Sequence, residues 1–251
     1  MEFSFQLYSA RNFPPVAGIF PKLKALGYRQ VEGFGGLYDQ ADELAAALKD
    51  NDLTMPTGHF GLDMLEDISG SIEIAEKLGI KTLICPAIPS EQRRQNSDGW
   101  KNLADKLAAL GESYNKEGFK FGWHNHNFEF VATESGKLPM ELLLDGAPDI
   151  IWQCDVAWLV KGKQEPLSWF ERYGKRIASI HVKDIAPAGQ CADEDGWADV
   201  GHGIMDWKAL FAAIGEKTSC TSFVMEHDNP NDVMRFASRS IAAAQRFAEA
   251  K

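Results

Sequence analysis

The sequence predicts a single (β/α)8 barrel of parallel strands, and three observations carry that expectation. Short apolar, strand-like runs alternate strictly with helical stretches, eight of each, which favours a parallel sheet whose strands are all covered by helices. At 251 residues the chain has the usual size of one closed barrel. The first run is followed by Ser9-Ala10-Arg11-Asn12 rather than a G-x-G-x-x-G turn, which argues against an open, doubly wound nucleotide-binding sheet.

Each unit has its own signal. Strand Phe3–Ser9 leads to helix Val16–Leu26, closed by Gly27, and strand Gln30–Phe34 leads to helix Ala41–Asn51, whose apolar positions recur at helical spacing. Strand Met55–Gly61 precedes helix Ile68–Leu78 and Gly79; strand Thr82–Ala87 precedes helix Trp100–Glu117, with Gly118 as its C-cap. Strand Lys120–His126 is followed by helix Leu138–Leu144, and strand Ile150–Trp158 by helix Glu165–Tyr173 before Gly174. Strand Ile177–Ile185 leads to helix Trp207–Ile214 before Gly215, and strand Ser222–Asp228 to a last helix, Asp232–Ala250. With no low-complexity segment and no long linker, one domain over residues 1–251 is expected.

Composition narrows the setting. Apolar residues at 45% and charged residues at 25% suit a globular protein with a large core. The formal charge of −10 argues against a nucleic-acid partner, since phosphate-backbone binding relies on clustered Lys and Arg. No run approaches the roughly 18 apolar residues of a membrane span, and Met1-Glu2-Phe3 lacks a basic leader; a cytoplasmic protein is expected. Cys85, Cys154, Cys191 and Cys220 form no C-x-x-C pair, and Cys85 and Cys154 read as core thiols.

In such a barrel the active site lies at the C-terminal ends of the strands. Glu32, His59, His124 and His126, Asp155, His181 and Glu226 close six of the runs. Burying Asp155, His181 and Glu226 around one axis without a cation would force carboxylates together; a divalent ion removes the conflict. Carboxylate and imidazole donors without a thiolate suit Mn²⁺, Mg²⁺, Co²⁺ or Zn²⁺. Lys183, two residues after His181, points the same way and is positioned to hold a substrate hydroxyl or oxyanion, or to pair with Asp184 or Glu226. Gly201-His202-Gly203 precedes a helix and offers backbone N–H groups to an anion, the place where barrels often hold phosphate. Phe34, Phe60, Trp123, Phe128, Trp158 and Trp197 accompany the polar set, and aromatic faces suit a sugar; Trp158 and Trp197 are the expected pocket rings, with His59 and His124 as further substrate contacts.

The segments Gly122-Trp123-His124-Asn125-His126-Asn127-Phe128-Glu129-Phe130, Cys154-Asp155-Val156-Ala157-Trp158, His181-Val182-Lys183-Asp184, Val200 to Trp207 and Glu226-His227-Asp228 together resemble the xylose-isomerase-like TIM barrels, often called sugar phosphate isomerases/epimerases, over essentially the whole chain. The resemblance implies one divalent metal ion, bound by a Glu, an Asp, a His and a second Glu, of which three fall on Asp155, His181 and Glu226. The first Glu of that set ends the fifth strand in much of the family, where this chain has His124; Glu129, five residues further on, is the expected fourth ligand and His124 the alternative. It also implies chemistry through a metal-stabilised enediolate, with Glu226, His126, Glu129 and Lys183 as catalytic candidates.

The function expected is a metal-dependent isomerase or epimerase acting on a ketose or keto-sugar, Mn²⁺ or Mg²⁺ being the first choices of metal. The alternative is a lyase or hydratase on an oxidised sugar such as a 3-keto-glycoside or an inosose, favoured by the two histidines of the fifth strand. Abasic-DNA repair fits poorly with an acidic chain, and a non-catalytic sugar-binding barrel would lack metal. The family tendency to pair makes a homodimer an expectation.

Overall fold

A computed structural model describes residues 2–249 of the chain. Eight parallel strands close into a barrel: β1 (Phe3–Gln6), β2 (Gln30–Phe34), β3 (Thr54–His59), β4 (Thr82–Cys85), β5 (Lys120–His124), β6 (Ile151–Asp155), β7 (Ile177–Val182) and, after a short antiparallel pair β8 (Asp184–Ile185) and β9 (Trp197–Ala198), β10 (Ser222–Met225). β10 lies between β7 and β1, so every barrel strand has two neighbours. Closure leaves no sheet edge to protect.

The expected helices form, with some shifts. The stretch at Val16–Ile19 is a 3-10 turn that leads into the helix Phe20–Leu26, and the helix expected from Trp100 starts at Ser97, capped by the Asn96 side chain on Gly99 N (2.9 Å). It ends at Lys116, where Gly118 takes φ +84° and the amides of Gly118 and Phe119 return to the carbonyls of Asn115 and Tyr114. The helix expected to stop before Gly215 runs through it to Lys217. The last helix spans Val233–Glu249; its expected final residue, Ala250, lies outside the described residues.

The strands end earlier than the apolar pattern suggests. Val156–Lys161 is a helix rather than the end of β6, because Asp155 Oδ1 accepts the Trp158 amide (2.8 Å) and acts as its N-cap. Leu7–Ala10 turns into a 3-10 helix, capped by the Gln6 side chain on Tyr8 N (3.0 Å).

Outward strand residues are apolar and pack beneath the helices: Phe5 meets Tyr28 and Phe236 edge-on or tilted, and Trp152 meets Trp169. The barrel axis is polar instead. Gln6 Nε2 donates to Glu32 Oε1 (2.7 Å), Gln153 Nε2 crosses the barrel to Glu32 Oε2 (2.7 Å) and to Ser179 Oγ (3.3 Å), and Thr57 also donates to Glu32. A buried carboxylate is tolerated there because its lone pairs are filled. Cys85 and Cys154 are fully buried, as expected of core thiols.

Candidate metal centre

Strand alternation brings His59 and His124 to the ends of β3 and β5, and Asp155 to the end of β6 beside His181 of β7 in the register. Glu226 follows β10, its amide bonded to Val182 O (3.2 Å). One donor atom from each of His124, Asp155, His181 and Glu226 falls within 4.8 Å of the others, all four residues being buried; His59, His124 and His181 form a second, overlapping group.

Each of these side chains is held from behind. Asn125 Oδ1 accepts the Trp152 indole N–H (2.8 Å) and the Asp155 amide (3.0 Å), while its Nδ2 donates to Asp155 O (3.0 Å). His181 Nε2 lies 2.7 Å from Glu32 Oε1, which leaves Nδ1, 2.8 Å from Glu226 Oε2, as the nitrogen on the cluster side. A carboxylate behind a histidine fixes its tautomer and raises its basicity as a ligand. His124 Nδ1 and His59 Nε2 both approach Gln153 Oε1, at 3.2 and 2.6 Å.

The charges are arranged around Lys183. Fully buried, its ammonium contacts Asp228 Oδ1, Glu226 Oε2 (3.3 Å) and Asp155 Oδ2 (3.6 Å). Burial alone would raise Glu32, but His59, His181 and the Thr57 hydrogen bond hold it down to about 2. Burial opposes a charged His181, yet Glu226 and Glu32 raise it to about 10. Asp155 is pushed up to about 6 by burial, against the pull of Lys183, while Lys183 and His181 overcome burial to keep Glu226 well below the usual carboxylate range.

These residues fit a divalent cation. Asp155 Oδ2 is buried with no hydrogen-bond partner, its nearest cation being Lys183 at 3.6 Å, so a metal ion would fill a coordination position the protein leaves open. The buried Glu32, Asp155 and Glu226, with the partly exposed Asp228, outnumber Lys183 and His181, and the donor set is that of Mg²⁺, Mn²⁺, Co²⁺ or Zn²⁺.

Glu129 stands elsewhere. Its carboxylate accepts the Trp123 indole N–H (3.2 Å) and the His126 amide (2.9 Å), fastening the loop after β5, and it belongs to neither donor cluster. Fully buried, it is raised to about 8. The structure thus brings His124, not Glu129, to Asp155, His181 and Glu226. On this geometry His124→Ala should weaken divalent-metal binding about 10- to 100-fold or more, and Glu129→Gln should leave it unchanged; metal analysis after dialysis distinguishes them. Glu32→Gln should cost about 10- to 100-fold in metal affinity by loosening His181, measured by competition with a chelator.

Over the cluster opens a cavity of about 480 Å³, lined by the polar residues His59, His124, His126, Glu226, Asp228, Asp195 and Arg11 and by the rings of Tyr8, Phe34 and Trp158. Of the expected substrate contacts, His59, His124 and Trp158 line it, whereas Trp197 and Lys183 do not. Trp197 is 1% exposed and sits edge-on to Trp158, with Lys161 Nζ 3.3 Å and Lys183 Nζ 4.4 Å above its ring. It roofs the lysine instead of meeting solvent. Phe60 and Trp123 belong to the core, and Phe128 stacks on His126 and lines a separate hollow with Arg93 and Trp100.

The Gly201–Gly203 amides already have their anion. Asp184 Oδ2 accepts the amides of Gly201 (2.9 Å) and Gly203 (3.3 Å), and Oδ1 those of Ile185 (2.9 Å) and Met205 (3.1 Å). A Cβ on Gly203 would lie 2.2 Å from Asp184 Oδ1, so the turn closes only around glycine. Asp184→Ala would strand these amides and should cost between about 1 and 3 kcal/mol, read by urea denaturation.

Residues that the sequence reading did not single out complete the site. Asp228 faces the cavity while holding Lys183, and Arg11 donates to Asp228 O and to Tyr8 O (3.0 Å). Gln153 couples His59, His124 and Glu32; its one signal was an uncharged polar residue in an otherwise apolar strand.

A closed parallel barrel with buried carboxylates and imidazoles gathered at the C-terminal strand ends defines a class of barrels with a donor cluster that fits a divalent cation. The chain belongs to the xylose isomerase-like TIM barrel family, whose profile matches residues 20–249. It is 25% identical over 170 residues to the inosose dehydratase of Lacticaseibacillus casei, covering 61% of this chain and 56% of that one; the chain thus spans about half the length of the curated relatives it matches. A crystal structure of a sugar phosphate isomerase/epimerase from Parabacteroides distasonis superposes with a TM-score of 0.80 at 21% identity, over 98% of this chain and 95% of the other. The IOLI protein, whose crystal structure holds a zinc atom, aligns with a TM-score of 0.71 at 17% identity over 98% of this chain and 96% of that one. Among the described residues no helix is long and apolar enough to cross a membrane.

Proposed function

We propose that this protein is a divalent-metal-dependent isomerase or epimerase that removes and returns a proton beside the carbonyl of a ketose or keto-sugar. The observation that carries the reading is the convergence of His124, Asp155, His181 and Glu226, with an Asp155 oxygen that has no hydrogen bond, next to a cavity that His124 and Glu226 line and that has aromatic rings in its wall. These four residues would hold the ion, with Mn²⁺ or Mg²⁺ as first choices; the zinc of the IOLI structure keeps Zn²⁺ among the candidates. When bound, the ion supplies Lewis-acid polarisation of the carbonyl.

The protein's own groups supply the rest. His126 lines the cavity, and its Nδ1 is buried without a partner. Burial, with the charge of Lys183, holds its conjugate acid down at about 3, so at neutral pH it is an unprotonated imidazole, a weak base in the unliganded site, and we assign it the proton-accepting role on its position in the cavity wall. Glu226 also faces the cavity, but its Oε2 is engaged by His181 and Lys183, which suits it to ligation and orientation. Trp158 and Phe34 offer surfaces for the C–H face of a sugar ring.

A second reading, a lyase or dehydratase acting on an inosose or a 3-keto-glycoside, is supported by the second cavity imidazole, His59, and by the likeness to inosose dehydratase. Elimination needs a base and an acid, and two imidazoles can serve. Proton NMR in D₂O of the Mg²⁺-loaded protein with ketoses, 3-keto-glycosides and inososes separates the readings. C–H exchange with a new epimer or aldose supports the first; exchange with an enone or a released group supports the second. No exchange with any of them rules out enolisation of these substrates.

A further inference from the structure

We infer that the cavity takes an uncharged, unphosphorylated sugar and excludes sugar phosphates; this rests on the function proposed above and names its substrate class. The lining is acidic. Asp195, Glu226 and Asp228 face the space, and among the described residues that line it Arg11 is the single guanidinium or ammonium group. Arg11 is already committed, donating to Tyr8 O and Asp228 O with its guanidinium 3.9 Å over the Tyr8 ring. A phosphate dianion entering here would meet Asp195 and Asp228 in the wall, Glu226 on the ion the site would hold, and one guanidinium whose Nη1 is already engaged, so the wall's repulsion opposes the ion's attraction.

The usual places for a phosphate are also taken. The backbone amides after β9, where a barrel commonly cradles that group, are filled by the Asp184 carboxylate. Lys183 is buried and bonded to Asp228 and Glu226, and Lys161 lies over the Trp197 ring. Arg93 covers Phe128, donates to Ile88 O (3.0 Å) and lines the separate hollow. No free cation is in place among the described residues of the cavity wall.

What the wall does offer matches a neutral sugar. Asp195 and Asp228 accept hydroxyl protons, while Tyr8, Phe34, Pro86 and Trp158 present apolar surfaces for ring C–H groups. Asp195 sits in the left-handed region at φ +57°, a conformation that Asn shares with little strain.

The test pairs each sugar with its phosphate ester. Saturation-transfer NMR on the Mg²⁺-loaded protein would compare D-fructose with fructose 6-phosphate and D-glucose with glucose 6-phosphate, with an inosose and a 3-keto-glucoside as further neutral probes. At least one neutral sugar is expected to bind, and each ester to bind about 30-fold or more weakly than its parent. Asp195→Asn should narrow that penalty about threefold or more. An ester that binds as well as its parent overturns the inference, as does a panel in which no neutral sugar binds or a penalty that Asp195→Asn leaves untouched. Neutral-sugar binding without C–H exchange leaves this inference standing and defeats the proposed reaction instead.

Discussion

His126→Gln is expected to lower solvent-exchange turnover by about 10² to 10⁴-fold, the range for loss of a positioned proton-transfer group, while the metal content of the purified protein stays at the native level. His126 differs from its neighbours in that its buried Nδ1 has no hydrogen-bond partner, whereas His59 and His124 both lean on Gln153. Its ring is kept in place by Phe128, stacked at 5.7 Å, and by Trp158 at 5.4 Å. Because the substitution removes proton transfer and spares those contacts, the loss should fall on kcat more than on KM, with the melting temperature near that of the native protein. Equal loss from His59→Gln with none from His126→Gln would assign the base to His59 instead.

Lys183→Met is expected to destabilise the metal-free protein by about 3 to 5 kcal/mol, the cost of breaking a buried ion pair on one side, which is a large share of the roughly 5 to 15 kcal/mol that holds a domain folded. Asp155, Glu226 and Asp228 would then face one another with His181 as the remaining cation. Two measurements check the cause. Divalent metal should restore much of the lost stability in urea melts, since a bound cation replaces the missing charge and binds only the folded state. The deficit should also be smaller at pH 5 than at pH 8. Asp155, already raised to about 6 by burial, rises further without the ammonium, and a carboxyl raised on folding loses stability as pH climbs from its unfolded value through its folded one. A deficit that ignores both metal and pH would point to the lost contact of the ammonium with the Trp197 ring.

The barrel was readable because its signals are local. Gly27, Gly79 and Gly118 each stop a helix at positive φ within a few residues of the next strand, and each signal lies within one unit of the repeat. Strand ends were read too long because Val156-Ala157-Trp158 is as apolar as the strand before it, and the cap that bends it into a helix belongs to one atom of Asp155. Asp155, His181 and Glu226 were legible as carboxylates and an imidazole where strands end. The choice between His124 and Glu129 was not: it depends on whether the loop after β5 turns the glutamate inward, and the Trp123 indole and His126 amide that hold it are contacts within that loop. The axial network of Gln6, Glu32, Thr57, Gln153 and Ser179 joins residues as far as 121 positions apart, beyond any periodicity. Trp197 and the Gly201–Gly203 turn misled for one reason: both serve groups of the chain itself, Lys183 and Asp184, where a ligand had been expected.

Asp155 ends β6 and begins the helix that carries Trp158, and Asn125 rivets its backbone to the neighbouring strand. One turn of chain therefore carries both a donor of the cluster and a ring of the cavity wall: Oδ1 of Asp155 holds the Trp158 amide, its Oδ2 is left without a hydrogen bond, and Asn125 fixes the backbone from which both side chains depart.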